Sequence, residues 1–257
     1  MNFFRIARVH ARNARRQSAL WIVSILLTLL AFGIACIAAP DLASSRGTQV
    51  DLAFLGQMLG LVPAIAYAAA FTDLASAPAK LGIMEVEDST PILPAKLLAA
   101  RAAGMLSVAL WPSAAVLLVC GFLQAAGGFQ SVLIALAVFA AIVVPCAFLA
   151  TALSALIGSL LPRALARITA VTIWCAVVCF TTFAPMPVGN RSKMGVVTDA
   201  ICQGFFGCQP VIDLDVAKGI VYTPFDAILL LVLRMVLALA FIAAAAFISR
   251  RRSFRRG

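Results

Sequence analysis

The run Ala227 to Ile248, AILLLVLRMVLALAFIAAAAFI, carries one charge in twenty-two residues and leaves the chain few folds to choose from. A bilayer core is crossed by roughly 20 apolar residues in a helix, and only there does so long an oily stretch need no soluble partner. Five more runs of this kind can be drawn: Leu20 to Ala39, Leu52 to Phe71, Ala102 to Ala126, Ser131 to Leu161 and Ala164 to Phe183. With 63% hydrophobic and 12% charged residues among 257, the composition leaves no room for a sizeable soluble domain. The expected fold class is therefore all-α: one polytopic transmembrane domain over residues 1–257, with six transmembrane helices.

The joints between the runs are marked by breakers. Pro40 and Asp41 end the first run, Pro112 interrupts the third, and Gly127-Gly128 makes a tight turn before the fourth. The fourth run has 31 residues, about 46 Å as a helix against a hydrocarbon core of about 30 Å, so it must tilt, kink near Pro145 or leave the membrane. Gly56 and Gly60 in the second run have the spacing that lets helices approach closely and define a candidate dimer seam. The long section 184–225 mixes prolines with apolar pieces such as Val196 to Phe206, too short to cross and suited to re-entrant segments.

Charge sets the orientation. Residues 3–16 form an amphipathic helix with Arg5, Arg8, Arg12, Arg15 and Arg16 on one face and Phe3, Ala7, His10, Ala11 and Ala14 on the other. It should lie on the membrane surface, its arginines against anionic lipid. Fifteen Lys and Arg fall in the segments assigned to the inside and four in those assigned to the outside. The positive-inside rule then puts both termini in the cytoplasm, in a cytoplasmic (inner) membrane. The net charge of +10 is thus accounted for by topology, and no nucleic-acid role is expected.

Chemistry within the spans is sparse. The one histidine, His10, precedes the first span, which argues against a His-based protease or zinc site. Acidic pairs for metal-assisted chemistry are missing from the spans, so the chain is not expected to be an enzyme, and no cofactor or metal is expected in it. Arg234 is the clear buried charge; pairing with Asp226, contact with a substrate and snorkelling outward all stay open. Cys202 and Cys208, in CQGFFGC, face an oxidising side and are a candidate disulfide, since Gly204 and Gly207 permit a turn between them.

What remains is the charged interval 80–101, KLGIMEVEDSTPILPAKLLAAR. Glu85, Glu87 and Asp88 precede a helix start at Pro91 or Pro94, where acids complement the helix dipole and proline suits the first turn. The run Met84 to Ala100 resembles the cytoplasmic loop between the second and third spans in permeases of the second class of ATP-binding-cassette exporters, through Ser89, Pro91, Ile92 and Lys96. In place of the Gly-Thr usual upstream in that family the chain has Leu81-Gly82-Ile83.

The six-span plan, surface helix and re-entrant section fit the same family. The resemblance implies a permease subunit that pairs with a second copy or paralogue and docks ATPase subunits through Glu85, Glu87, Asp88, Ser89, Pro91 and Lys96. No phosphate-loop motif occurs in the chain, so ATP and Mg would be held by the partner. The uncharged pathway suits an amphipathic or apolar substrate. The alternatives are a non-transporting scaffold or accessory subunit of a larger assembly, and an ion-coupled secondary transporter.

Overall fold

A computed structural model of the chain describes residues 3–75, 93–124, 129–183, 198–208 and 222–254. Among these the chain is all-helical, without strands. The helices are α1 (Phe3–Ala14), α2 (Ser18–Ala38), α3 (Gln49–Ala70), α4 (Pro94–Ala109), α5 (Trp111–Leu123), α6 (Gln130–Val138), α7 (Val144–Leu160), α8 (Arg163–Phe183), α9 (Asp199–Phe206) and α10 (Pro224–Phe254). Short 3-10 turns at Pro40–Ala43 and Phe71–Asp73 flank α3, and a π-helical segment, Phe139–Val143, joins α6 to α7.

Among the described residues, four helical stretches are long and apolar enough to cross a membrane: Ser18–Ala38, Gln49–Asp73, Gln130–Leu160 and Pro224–Arg251. The pair α4 and α5, bent by 48°, makes a fifth if it counts as one span. That bend falls where Pro112 was expected to interrupt the third run, because a proline lacks the N–H that would continue the ladder. The 31-residue fourth run stays helical throughout. It absorbs Pro145 by widening into the π segment just before it, a recognised alternative to a sharp kink.

The bundle is built around α3. Of its most apolar window 72% is buried, against 22% for α2 and 17% for α10, so α3 is the central helix and the other two are peripheral. Leu52, Leu55, Leu59 and Tyr67 of α3 and Phe71 of the turn after it pack into one core with Leu117 of α5, Ile142 of the π segment and Trp174 of α8. Two side chains from the surrounding helices donate to main-chain carbonyls of α3. Trp174 Nε1 donates to Leu61 O at 3.4 Å, and Ser154 Oγ of α7 donates to Ala68 O at 2.6 Å. Tyr67 in turn donates from its hydroxyl to Ala109 O at 3.1 Å.

The outer faces of α2 and α10 are apolar: Ile22, Leu26, Leu29 and Ile37 of the first, and Ile228, Leu229, Val232, Leu233 and Val236 of the second, are all exposed. Faces of that extent are stable against lipid tails and costly against water.

Gly56 and Gly60 do allow a close approach, but within the chain. Gly56 faces Val138, and a Cβ on Gly60 would lie 3.4 Å from Cys146 Cβ, so the seam expected for a dimer instead seats the α6–α7 span on α3.

Candidate functional site

The helix bearing Lys96 is the part of the proposed coupling region that the structure describes; Glu85, Glu87, Asp88, Ser89 and Pro91 lie outside the described residues. α4 starts at Pro94, with the proline in its first turn, as its residue type favours. Lys96 is exposed there, while Leu98, Ala100 and Arg101 are buried.

Tyr67, three residues before the end of α3, bonds to Ala109 at the end of α4. The first turns of α4 therefore project past the level at which α3 stops, and α1 packs on α4 beyond them. Gly104 allows this crossing, since a Cβ there would run into the main-chain carbonyl of Ala7 and sit 3.0 Å from His10 Cβ.

The face of α1 turned to α4 is the one with Ala7, His10, Ala11 and Ala14, joined by Ile6, while Arg5, Arg8, Arg12, Arg15 and Arg16 are exposed. The helix thus turns this face to protein and offers Arg5, Arg8 and Arg12 outward, with Arg15 and Arg16 exposed in the turn after it, the arrangement that suits anionic lipid or an acidic partner. Ile6 is the residue that periodicity on the arginines alone leaves out.

His10 is held below the ordinary histidine range, first by burial and second by the Arg101 guanidinium beside it. Docking thus favours the neutral ring. With the docked value depressed, the α1–α4 contact is at full strength above about pH 6.5, weakens as pH falls through that ordinary value, and levels off below the docked one. A nitroxide on exposed Asn13 should accordingly gain mobility between about pH 7 and pH 5, and His10→Gln should remove that pH dependence. Equal mobility at both pH values would show that the ring does not report on docking.

Next to this region an ion-pair cluster ties two helix ends. Arg163 Nε donates to Asp73 Oδ1 at 3.0 Å, and Arg167 Nη2 lies 3.7 Å from Asp73 Oδ2. All three are substantially solvated, so their contribution to stability is small. Their value is positional, because they place the end of α3 and the start of α8 at the same end of the bundle. Just beside them α7 touches the Phe71–Asp73 turn at Gly158, where a Cβ would collide with the Thr72 carbonyl.

At the opposite end Gln124 donates from Nε2 to Leu42 O at 2.7 Å, and Thr48 and Asp51 form a capping box that starts α3. Here too lies α9, within the apolar piece expected to be re-entrant. Cys202 and Cys208 are both buried. Gly207, at φ +68°, makes the turn between them, as its permissive backbone allows. Both sulfurs lie against α3: Cys202 Sγ is 3.9 Å from Ala53 O and Cys208 Sγ 3.7 Å from Gln57 Oε1.

Asp226 and Arg234 sit on the same helix but at different depths. Asp226 caps α10: its Oδ2 accepts from Thr223 N at 3.1 Å and from Thr223 Oγ1 at 2.9 Å. Arg234 is eight residues on, about 12 Å of rise along the helix.

A set of hydroxyls that residue counting does not single out meets at the α4–α5 bend. Ser24 and Thr28 of α2, Tyr67 of α3 and Ser113 of α5 are each 0–1% exposed. Thr28 Oγ1 and Ser113 Oγ are 3.3 Å apart, and Ser24 and Ser113 both face the Tyr67 hydroxyl. The signal was a pair of polar residues at i, i+4 in an otherwise apolar span; its partners on other helices could not be read from spacing.

Comparison with known proteins finds no matching family model and no matching curated relative. The class that fold and site define is an all-helical protein with several helices long and apolar enough to span a membrane.

Proposed function

We propose that the chain is the permease subunit of an ATP-binding-cassette exporter of the second class, moving an amphipathic or apolar substrate outward across the cytoplasmic membrane. In this reading it has six spans, α8 being one of them, and both termini are cytoplasmic. It pairs with a second permease copy or paralogue and takes its energy from separate ATPase subunits, which bind ATP and Mg.

The observation that supports this reading best is the lever-like placing of α4. Its first turns lie directly after the loop that resembles the family's docking segment and carry exposed Lys96, and the helix, held by α1 at Gly104, leads without interruption to the bend at Leu110. A push on the loop by a closing ATPase would be carried along a rigid helix to a break inside the bundle. Helices transmit such displacements because packed cores have discrete arrangements and do not deform continuously.

The test is co-purification. Protein solubilised from its own membrane is expected to bring down an ATPase subunit, and Glu85→Gln, Glu87→Gln and Asp88→Asn together should abolish that capture and the transport it drives. An intact complex and intact transport in the triple variant would refute the docking assignment. Transport that survives ATP depletion but collapses with the ion gradient would refute the exporter.

A further inference from the structure

We infer that Cys36 of α2 and Cys120 of α5 form a redox-responsive thiol pair, which closes to a disulfide and fastens α2 to the second half of the bent span. Two contacts fix the register of these helices. Thr28 Oγ1 and Ser113 Oγ are 3.3 Å apart, and further along Gln124 Nε2 donates to Leu42 O at 2.7 Å. Residue numbers rise together from the first contact to the second, so α2 and α5 run parallel. Cys36 stands eight residues beyond Thr28, about 12 Å of rise, and Cys120 seven beyond Ser113, about 10.5 Å. The two residues are therefore level to within about one residue of rise, between contacts that keep the helices from splaying.

Both also belong to packed faces. Ser113, Leu117, Cys120 and Gln124, at i, i+4, i+7 and i+11, make one buried stripe of α5. Thr28, Phe32 and Cys36, at i, i+4 and i+8, make a stripe of α2, with Thr28 buried and the other two packed on the core. Both thiols are free. Cysteine reaches as far as serine, one atom beyond Cβ, so a helix separation that lets Thr28 and Ser113 meet suits a disulfide two turns on. The chemistry is thiol–disulfide exchange with a small disulfide as oxidant. Cys36, partly exposed two residues before the end of α2, reacts first: its thiolate attacks one sulfur of the oxidant, forming a mixed disulfide and releasing the other sulfur as a thiol. Cys120 then gives up its proton and attacks the Cys36 sulfur, which forms the Cys36–Cys120 bond and releases the second thiol. The protein loses two hydrogens and the oxidant gains them. On the proposed orientation, with both termini cytoplasmic, this end of the bundle faces the oxidising side, and the inference rests on that reading for its oxidant alone.

The test treats the purified protein in lipid nanodiscs with dithiodipyridine, a small neutral disulfide, then denatures, alkylates and digests it with trypsin. The expected product joins peptides 17–46 and 102–163 at a mass two hydrogens below their sum, and Cys36→Ser and Cys120→Ser should each abolish it. Peptide 102–163 also holds Cys146, so a joined product that persists in Cys120→Ser would assign the bond to Cys146 and overturn the pair. Recovery of Cys36 only as its mixed disulfide with the reagent would overturn it as well. A second arm separates the pair from the orientation: a charged, membrane-impermeant aryl disulfide is added to sealed vesicles of each sidedness. Closure is expected in right-side-out vesicles, whereas closure only in inside-out vesicles would keep the pair and overturn the cytoplasmic placing of the termini.

Discussion

Gly158→Val is expected to lower the thermal unfolding midpoint by about 6–12 °C, or to prevent accumulation of folded protein altogether. At this position α7 rests on the main chain of the Phe71–Asp73 turn, and a Cβ would meet the Thr72 carbonyl oxygen, its carbon and its Cα. A clash with a flexible side chain is relieved by rotation. One with backbone requires two helices to part, which places the cost near the upper end of overpacking, about 3 kcal/mol. The contact also lies beside Asp73, so the displacement would loosen its pairing with Arg163 and Arg167. Gly33 on α2 is the matched control, with nothing within 4 Å of a Cβ, and Gly33→Ala should leave the midpoint unchanged or slightly raised. Equal behaviour of the two glycines would show that α7 does not pack on the turn as described.

Gly104→Leu should detach α1 while leaving the bundle folded. The side chain would drive into the Ala7 carbonyl and the His10 Cβ, and α1 packs chiefly on α4, so it can lift away without disturbing the core around α3. Trypsin cleavage after Arg5, Arg8 or Arg12 reads the detached population when opening and closing are fast. An overpacking cost of about 1–3 kcal/mol corresponds to a rise in cleavage rate of roughly 5- to 150-fold. An unchanged rate with an unchanged midpoint would refute the crossing at Gly104. On the proposed function, the same variant should also weaken the coupling of ATP hydrolysis to transport, because the base of the α4 lever would lose its clasp.

Much of the architecture was legible in the order of residues, and the reason is one-dimensional. The length of an apolar run is set by bilayer thickness, and a proline removes a particular N–H wherever it stands. The runs from Leu20, Leu52 and Ala227 and the break at Pro112 could therefore be placed to within a few residues. The amphipathic face of α1 was legible for the same reason, since its arginines recur at the helical period.

What faces what was not legible. The Gly56–Gly60 pair signals close approach but does not name its partner, and only packing shows it to be Val138 and Cys146 of the same chain. The neighbours of Cys202 and Cys208 on α3, Ala53 and Gln57, lie more than a hundred positions away in sequence and no spacing announces them. The pairing of Asp73 with Arg163 and the meeting of Ser24, Thr28, Tyr67 and Ser113 likewise depend on distances across the bundle.

The sequence alone determined that this chain is helical, apolar enough for a membrane and punctuated at identifiable breakers, because those properties follow from local covalent and solvation preferences. Only the tertiary structure decided that α3 is the central helix, that α1 lies on α4, and that buried hydroxyls gather at the bend. Those outcomes are settled by side-chain shape and hydrogen-bond satisfaction between helices far apart in the chain, which no local pattern encodes.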